Sequence, residues 1–526
     1  MNAHSLDVDV AIVGSGFAGA LTALALRRRG MRVALLERGC HPRFAIGESS
    51  TPLANLLIEH IADRYDLPRI RAFSKWGTWQ RERPDVAAGL KRGFTFWFHR
   101  AGERFSDNRD HSRQLVVAAS PHDDIGDTHW YRPDFDHALV REAEAEGAVY
   151  LDQTRLERFR DTGMGVELSG TRSGRELQVS ARFVIDASGP RGFLHKALAL
   201  HDAPMQWLPP TQALYTHFDG VEQWEHVTAL GETPPFPVDA AALHHVFDGG
   251  WMWVLRFNNG MTSAGVALTD RVAAGFRAEE GPSAWDRVLA SLPSVQDQFR
   301  EARPLLPFVH APRLAFRSRE VCGPRWALLP SAAGVIDPLL STGFPLTLLG
   351  ILRLLDVLET SAEGPEREAG LGAYARATHD ELEAAEQLVA ALYASMTDPP
   401  LFKRLTLLYF AAASYAETAW RLGRRELAPG FLLHAHPAFG PELRACSESA
   451  LRTMDGIARE ELLTRIDRAI LPFDIAGLLD RSRRDWYPVL AEDLVTNASK
   501  LHASSVEIER LLERCGFTAR GPARRV

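Results

Sequence analysis

The sequence predicts an α/β fold: a Rossmann-like dinucleotide-binding domain, an inserted antiparallel-sheet substrate domain and a helical C-terminal region. Three observations carry this expectation. Val8-Asp9-Val10-Ala11-Ile12-Val13-Gly14-Ser15-Gly16-Phe17-Ala18-Gly19 reads as a buried strand, a glycine turn and a helix start. Between residues 205 and 310, aromatic and β-branched runs flank a hairpin signal at Asn259-Gly260. From about residue 361 onward, apolar residues recur at helical spacing.

The glycine turn has a physical role at each position. Gly14 allows the tight turn, Gly16 lets backbone approach a pyrophosphate, and Gly19 lets helix and strand pack closely. The helix is expected from about Ala18 to Arg29, with Leu21, Leu24 and Ala25 on one face. Its N-terminus offers free N–H groups to an anion. A second strand, Arg32-Val33-Ala34-Leu35-Leu36-Glu37, ends in a carboxylate at the distance expected for an acceptor from a ribose.

His41 to Pro52 reads as a loop into a helix, with Ser49, Ser50 or Thr51 as cap and Leu53, Leu56, Leu57 and Ile61 at helical spacing. Glu48 reads by itself as a loop or cap carboxylate. Residues 90–98 look like one strand with Phe94, Phe96 and Phe98 on its buried face. Lys91 begins it, and a lysine there is usually solvated. Tyr131 to Asp136 precedes a helix expected over Ala138 to Gly147, with Asp134 or Asp136 as cap. Arg132 suits a phosphate or a carboxylate. Phe183 to Pro190 is a second buried strand and small-residue turn, where the parallel sheet resumes.

In Gly250 to Gly260, Trp251, Trp253, Leu255 and Phe257 point one way and Met252, Val254 and Arg256 the other, with Ser263 to Leu268 returning. The aromatic face suits either core or a cavity wall. Trp326 to Gly334 returns to the nucleotide fold. Thr342 and Gly343 then lie near a helix N-terminus, where N–H groups can bind an anion or a cofactor oxygen. Helices are expected over Ala373–Tyr393 and Phe402–Leu422, followed by several shorter ones to Cys515.

At 526 residues the chain can hold two or three domains. Its 60 basic against 67 acidic residues, a net charge of −7, argue against non-specific nucleic-acid binding. The basic end, residues 520–526, reads as a frayed tail. Cys40, Cys322, Cys446 and Cys515 suit neither a metal site nor a disulfide framework, which fits a reducing cytoplasm. No signal peptide is evident, and the apolar run 338–352 is shorter than a membrane span.

Together the pieces resemble the flavin-dependent halogenases, in particular the branch acting on free phenols and pyrroles. The resemblance rests on His41-Pro42-Arg43-Phe44 with Gly47-Glu48-Ser49, on Ile61-Ala62-Asp63-Arg64-Tyr65 and on Leu90-Lys91-Arg92-Gly93-Phe94. It continues in Leu243-His244-His245-Val246-Phe247, Gly249-Gly250-Trp251 and Phe257-Asn258-Asn259. It implies an FAD-binding domain of the glutathione-reductase/hydroxybenzoate-hydroxylase type, working with FADH2, molecular oxygen and chloride or bromide. In that family a flavin hydroperoxide is attacked by halide, and hypohalous acid moves through an internal passage to a lysine beside the substrate. By motif the lysine is Lys91, with Glu48 a second catalytic candidate. Thr342 and Gly343 would bind halide.

The resemblance further implies cofactor contacts at Gly14, Gly16, Phe17, Ala18, Gly19, Glu37, Arg38, Ser49, Arg132, Asp186, Gly189, Asp337 and Gly343. Phe94, Trp251 and Trp253 would meet the substrate, and no metal is implied. The implied partners are a flavin reductase supplying FADH2 and a small aromatic substrate, free or carrier-bound; a homodimer is left open. Leu340 occupies the position where tryptophan halogenases carry a glutamate, which speaks against free tryptophan. Two departures from the pattern are Arg256 in place of a proline and Val335 in place of a phenylalanine. An aromatic monooxygenase or hydroxylase and a flavin-dependent reductase are the alternative activities. The expected division assigns 1–110, 150–200 and 311–360 to the FAD-binding domain. It gives 111–149 and 201–310 to the inserted substrate side, and 361–526 to the helical domain.

Overall fold

The computed structural model describes residues 4–360, 364–452 and 456–517; the basic tail 520–526 lies outside them. In chain order the elements that frame the site begin with β1 (His4–Val13), α1 (Phe17–Arg28), β2 (Val33–Leu36) and α2 (Pro52–Arg64). There follow β3 (Ala88–Lys91), β4 (Gly93–Phe98), β5 (Gln114–Ala118), β6 (Asp127–Trp130), α3 (Arg132–Ala145) and β7 (Val149–Leu151). Then come β8 (Arg175–Asp186), β9 (Thr211–Asp219), β10 (Ala242–Phe247), β11 (Gly250–Arg256), β12 (Thr262–Thr269) and β13 (Trp326–Leu328). The last are α4 (Gly343–Thr360), α5 (Pro365–Ala394), α6 (Pro399–Arg421) and α7 (Ser505–Cys515).

The first sheet is parallel along β13-β8-β1-β2-β7. β1 has a strand on each side, and its residues are buried whichever face they point to: Val10 is 3% exposed, and Ala11 and Ile12 are fully buried. α1 and α3 pack together beside it. The chain leaves β1 at its carboxyl end directly into α1, which sets the glycine turn at the mouth of the sheet, where α/β proteins bind ligands.

The second sheet has nine strands and includes the run β9-β12-β11-β10-β4-β5. It is antiparallel except where β4 meets β10 and where Trp486–Tyr487 joins β5. β11 divides its residues as its alternation demands. Trp251, Trp253 and Leu255 enter the main core; Met252 and Val254 enter a second core behind the sheet. Gly260 takes φ +83° in the loop between β11 and β12.

Three sequence expectations change. Residues 90–98 are not one strand: Arg92 interrupts them, its N–H donating to Ala240 O at 2.7 Å and its carbonyl accepting from Ala119. Lys91 thus ends β3, paired with β6, while Phe94 lies in β4 of the large sheet. The helix expected from Ala138 begins at Arg132, because Pro133 suits a first turn; Asp136 lies inside the helix rather than capping it. Finally, β4 joins the substrate-side sheet although residues 1–110 were assigned to the nucleotide domain, and α3 packs on α1 although 111–149 were assigned to the insertion. Pairing across long sequence separations, Phe94 with Ala242, decides the first of these.

α5 and α6 start earlier than their apolar repeats, at prolines that need no N–H partner. α6 packs against α2, and α7 closes behind it with a capping box between Ser504 and Glu507.

Candidate functional site

The glycine turn leaves no room for a side chain at Gly14 or Gly19. Gly14 has φ +98°, and a Cβ there would lie 2.6 Å from Ala187 O; a Cβ at Gly19 would collide with the Gly14 carbonyl. Phe17 and Ala18 open α1 and are buried, and Gly16 at the N-cap brings no capping side chain. Two guanidiniums and a carboxylate surround the turn: Arg132 Nη2 and Asp136 Oδ2 lie 3.5 Å and Arg43 Nη2 3.6 Å from the position a Gly16 Cβ would take. Arg132 is held by Asp136 through two parallel bonds, 2.8 and 2.7 Å, and donates to Gly47 O at 2.8 Å. Arg43 Nε is buried without a partner.

Glu37 follows β2 and accepts from Ser15 N, Ser15 Oγ and Gly39 N at 3.1, 2.8 and 2.9 Å. Burial by itself would raise this carboxyl. The Arg43 guanidinium and the donors from Gly39 and Ser15 hold it below its ordinary value. Arg38 is exposed beside it, and Gly189, at φ +86°, faces open space. A helix N-terminus and two arginines as donors, with a terminal carboxylate as acceptor, form the set that a dinucleotide pyrophosphate and ribose require.

The second cluster surrounds Lys91, which is fully buried. Its Nζ donates to Ser49 Oγ at 2.9 Å and to Ser50 O at 2.5 Å, and sits 3.7 Å from the centre of the Phe94 ring. Burial pushes the amine down, opposed by the field of Asp127; burial pushes Asp127 up, opposed by Lys91. The neighbouring His129 and His244 are pushed down to about 3, chiefly by burial and in part by Lys91, so both are neutral. Asp127 pairs with Lys91 in the β3–β6 register. Asn55 Nδ2 donates to its Oδ1 at 2.8 Å, while its Oδ2 is buried with no partner.

Beside this cluster lies a cavity of about 160 Å³. Phe94, Asn55 and Asp127 form one wall, Tyr409 and Phe410 of α6 another, and α7 contributes Leu511. Tyr409 also reaches the loop before α4, donating to Leu340 O at 3.0 Å. In that loop Ser341 has φ +53°, Thr342 is buried, and Gly343 is exposed with nothing within 4 Å of a would-be Cβ. An 18-residue helix therefore opens onto free space. Asp337 anchors the loop by accepting from Leu339 N at 3.0 Å and Tyr393 Oη at 2.9 Å; burial pushes its carboxyl up to about 7.

Residues 9–350 match the model of the FAD dependent oxidoreductase family. The chain belongs to that family. It is 33% identical over 371 residues to monodechloroaminopyrrolnitrin halogenase PrnC of Pseudomonas fluorescens, a match covering 68% of this chain and 63% of that protein. It is also 33% identical over 349 residues to tetracycline 7-halogenase of Kitasatospora aureofaciens, covering 64% and 60%. The chain thus matches less than two thirds of either relative's length. Among solved structures it resembles halogenase PltM, determined in complex with phloroglucinol and FAD. The TM-score is 0.81 at 26% identity, over 91% of this chain and 99% of that one.

For a flavoprotein the cradle falls where the glycine pattern placed it. Other expected site residues are placed differently. Asp186 has both carboxylate oxygens engaged locally, by Ser188 N and Oγ and by Leu194 N, and so holds the turn after β8. Trp251 and Trp253 do not line the cavity: Trp251 donates to Tyr393 Oη at 3.1 Å and Trp253 to Ser263 Oγ at 3.3 Å, both in the core. Alternation gave their face but not what covers it. Glu48 pairs with His217 Nε2 at 2.8 Å, both side chains fully buried. Ser49, expected at the cofactor, accepts from Lys91. Phe94 does line the cavity.

Sequence reasoning missed Asp127, Asn55 and Tyr409, whose types and spacing carry no signal. Arg43 belongs to a motif whose pattern gives that residue no role of its own. Arg256 lies outside the site. It pairs with Asp239 and donates to the carbonyls of Val221 and Glu222, tying β11 to the loop after β9. Among the described residues no cluster of His, Cys, Asp and Glu could hold a metal, and no helix is long and apolar enough to cross a membrane.

Proposed function

We propose that the protein is an FADH2-dependent halogenase that chlorinates or brominates a small electron-rich phenol or pyrrole, with Lys91 delivering the oxidant. The observation that carries this is the burial of a lysine ammonium on Ser49, Ser50 and the Phe94 ring beside an aromatic-walled cavity. An amine needs such dryness to give up its charge easily and to hold an electrophilic halogen donor.

The Gly14–Gly19 turn, Arg43, Arg132 and Glu37 would hold FAD. Reduced FAD, when bound, supplies the reaction of oxygen that turns halide into hypohalous acid. The N–H groups at Thr342 and Gly343 would bind the halide at the start of α4. Lys91 would orient hypohalous acid by donating to it, and the aromatic walls would exclude water that would otherwise consume it. Leu340, fully buried, leaves no carboxylate where an indole ring would need one, which favours substrates that supply their own electron density. The names of the relatives, a pyrrolnitrin-type and a tetracycline halogenase, support the same class. We infer a separate flavin reductase as partner and a small aromatic substrate, free or carrier-bound.

The test is product mass spectrometry with FAD, a flavin reductase, chloride or bromide, and a panel of phenols and pyrroles. Halogenated products are expected. Hydroxylated products lacking halogen would replace this reading with an aromatic monooxygenase.

A further inference from the structure

We propose that Asp127 is the general base of the site and that the acceptor is a phenol, whose hydroxyl proton Asp127 removes as the ring is halogenated. This rests on the halogenase reading and names its substrate class.

The geometry is specific. Asp127 lines the cavity, whereas Lys91 lies behind the Phe94 ring and is not among the lining residues. Asp127 is 5% exposed. Asn55 Nδ2 fixes one of its oxygens, and the other is buried with no hydrogen-bond partner. A buried carboxylate oxygen left unpaired costs stability and calls for a donor. The cavity's walls near it, Phe94, Tyr409 and Phe410, suit an aromatic ring, whose hydroxyl would be that donor. No carboxylate comes within 4.0 Å of Lys91 among the described residues, so Asp127 is not spent on an ion pair.

The step balances with hypohalous acid as the oxidant. The phenol O–H proton passes to Asp127. The ortho or para carbon attacks the halogen, forming the carbon–halogen bond and breaking the oxygen–halogen bond. The departing hydroxide takes the proton that Asp127 received and becomes water. The ring C–H proton then passes to Asp127, which gives it to the product oxygen. Ring and halogen donor leave as halophenol and water. A phenol left protonated is a much weaker nucleophile, so the base is where rate is gained.

The charged and titratable groups around Asp127 are Lys91 from β3, Tyr409, Glu417 and Arg421 from α6, and Lys75 and Cys515 on the same cavity. Burial raises Asp127 and Glu417 adds to this, while Lys91, Asn55 and Arg421 oppose it. A carboxyl held above its usual range is matched to proton abstraction near neutral pH.

The experiment compares wild type and Asp127→Asn as holoenzymes, using phloroglucinol and its trimethyl ether as probes over a pH series. FAD affinity and thermal midpoint serve as the controls for folding. The variant keeps an oxygen for Asn55. At pH 7 it should lose about 100-fold in kcat/KM for phloroglucinol and should recover about tenfold per pH unit as the phenol begins to ionise unaided. The ether, with no proton to lose, should react equally slowly with both proteins. An unchanged rate at pH 7, a loss without alkaline recovery, or an equal loss on the ether would overturn the assignment. If wild type hydroxylates phloroglucinol while Asp127→Asn shows the same loss and recovery, the halogenase reading fails and Asp127 stands as the base.

Discussion

Around Gly16 each charge has a counter-charge: Arg132 meets Asp136 at 2.7 Å and Arg43 meets Glu37 at 3.3 Å. Around Lys91 the opposite holds. The ammonium is satisfied by a hydroxyl, a carbonyl and an aromatic face, and its neighbour Asp127 keeps one oxygen unpaired. The first region is built to be stable while it awaits an anion. The second holds two ionisable groups in a dry space where charge is expensive, so proton transfer between them, or to a bound molecule, needs little reorganisation. The difference separates binding from chemistry within one chain.

The largest effect should come from Lys91→Ala. Halogenated product should disappear while FAD still binds with unchanged affinity, read by product mass spectrometry beside flavin fluorescence titration. Halogenation surviving in this variant would remove the amine from the mechanism and erase the contrast.

Next in size is a stability comparison. Arg132→Met strands the fully buried Asp136 and should cost about 3–5 kcal/mol. Lys91→Met removes a charge that lacks a close counter-ion and should cost less than about 1 kcal/mol, or stabilise. Urea denaturation measures both, and equal losses would mean that the two regions do not differ as described.

A smaller effect concerns pH. Asp337 is pushed up to about 7 by burial, so the folded chain keeps a proton that the unfolded chain releases near the ordinary aspartate value of 3.8. Between those values stability falls as pH rises, because the native state binds more protons. Asp337→Asn removes this slope. Its thermal midpoint relative to wild type should be higher at pH 8 than at pH 5; a difference independent of pH would count against a buried, shifted carboxyl.

The smallest effect is expected at Arg256. Arg256→Ala loses the Asp239 contact and two carbonyl bonds, about 1–2 kcal/mol, and leaves the halogenated product distribution unchanged. A changed distribution would bring this departure from the family pattern into the chemistry.

How far the sequence reached differs between the two regions. The cradle was legible because its demands are local: Gly14 needs a positive φ and Gly19 needs closeness to the next turn, and both partners lie within a few residues or in the adjoining strand. Lys91 was legible only through likeness to a family; pattern alone made it a solvated strand end. Strand alternation puts Trp251 and Trp253 on one face and leaves core or cavity wall open, because it names a face without naming its neighbour, which is Tyr393 for one and Ser263 for the other. Leu90–Phe98 was read as continuous because no residue type marks the crossing at Arg92, where the backbone bonds go to Ala240 and Ala119.

The sequence by itself determined the glycine cradle, the terminal carboxylate at Glu37, the two faces of β11 and the helical character of the C-terminal third. These follow from backbone sterics and from apolar periods of two and 3.6, which act over short stretches of chain. Only the tertiary structure decided that Lys91 is dry, that Asp127 stands beside it with a free oxygen, and that Tyr409 spans from the cavity to the loop before α4. Desolvation is set by whatever closes over a group. Here the covering residues come from α2, β4, β6 and α6, brought together by strand pairings and helix contacts between segments far apart in the chain.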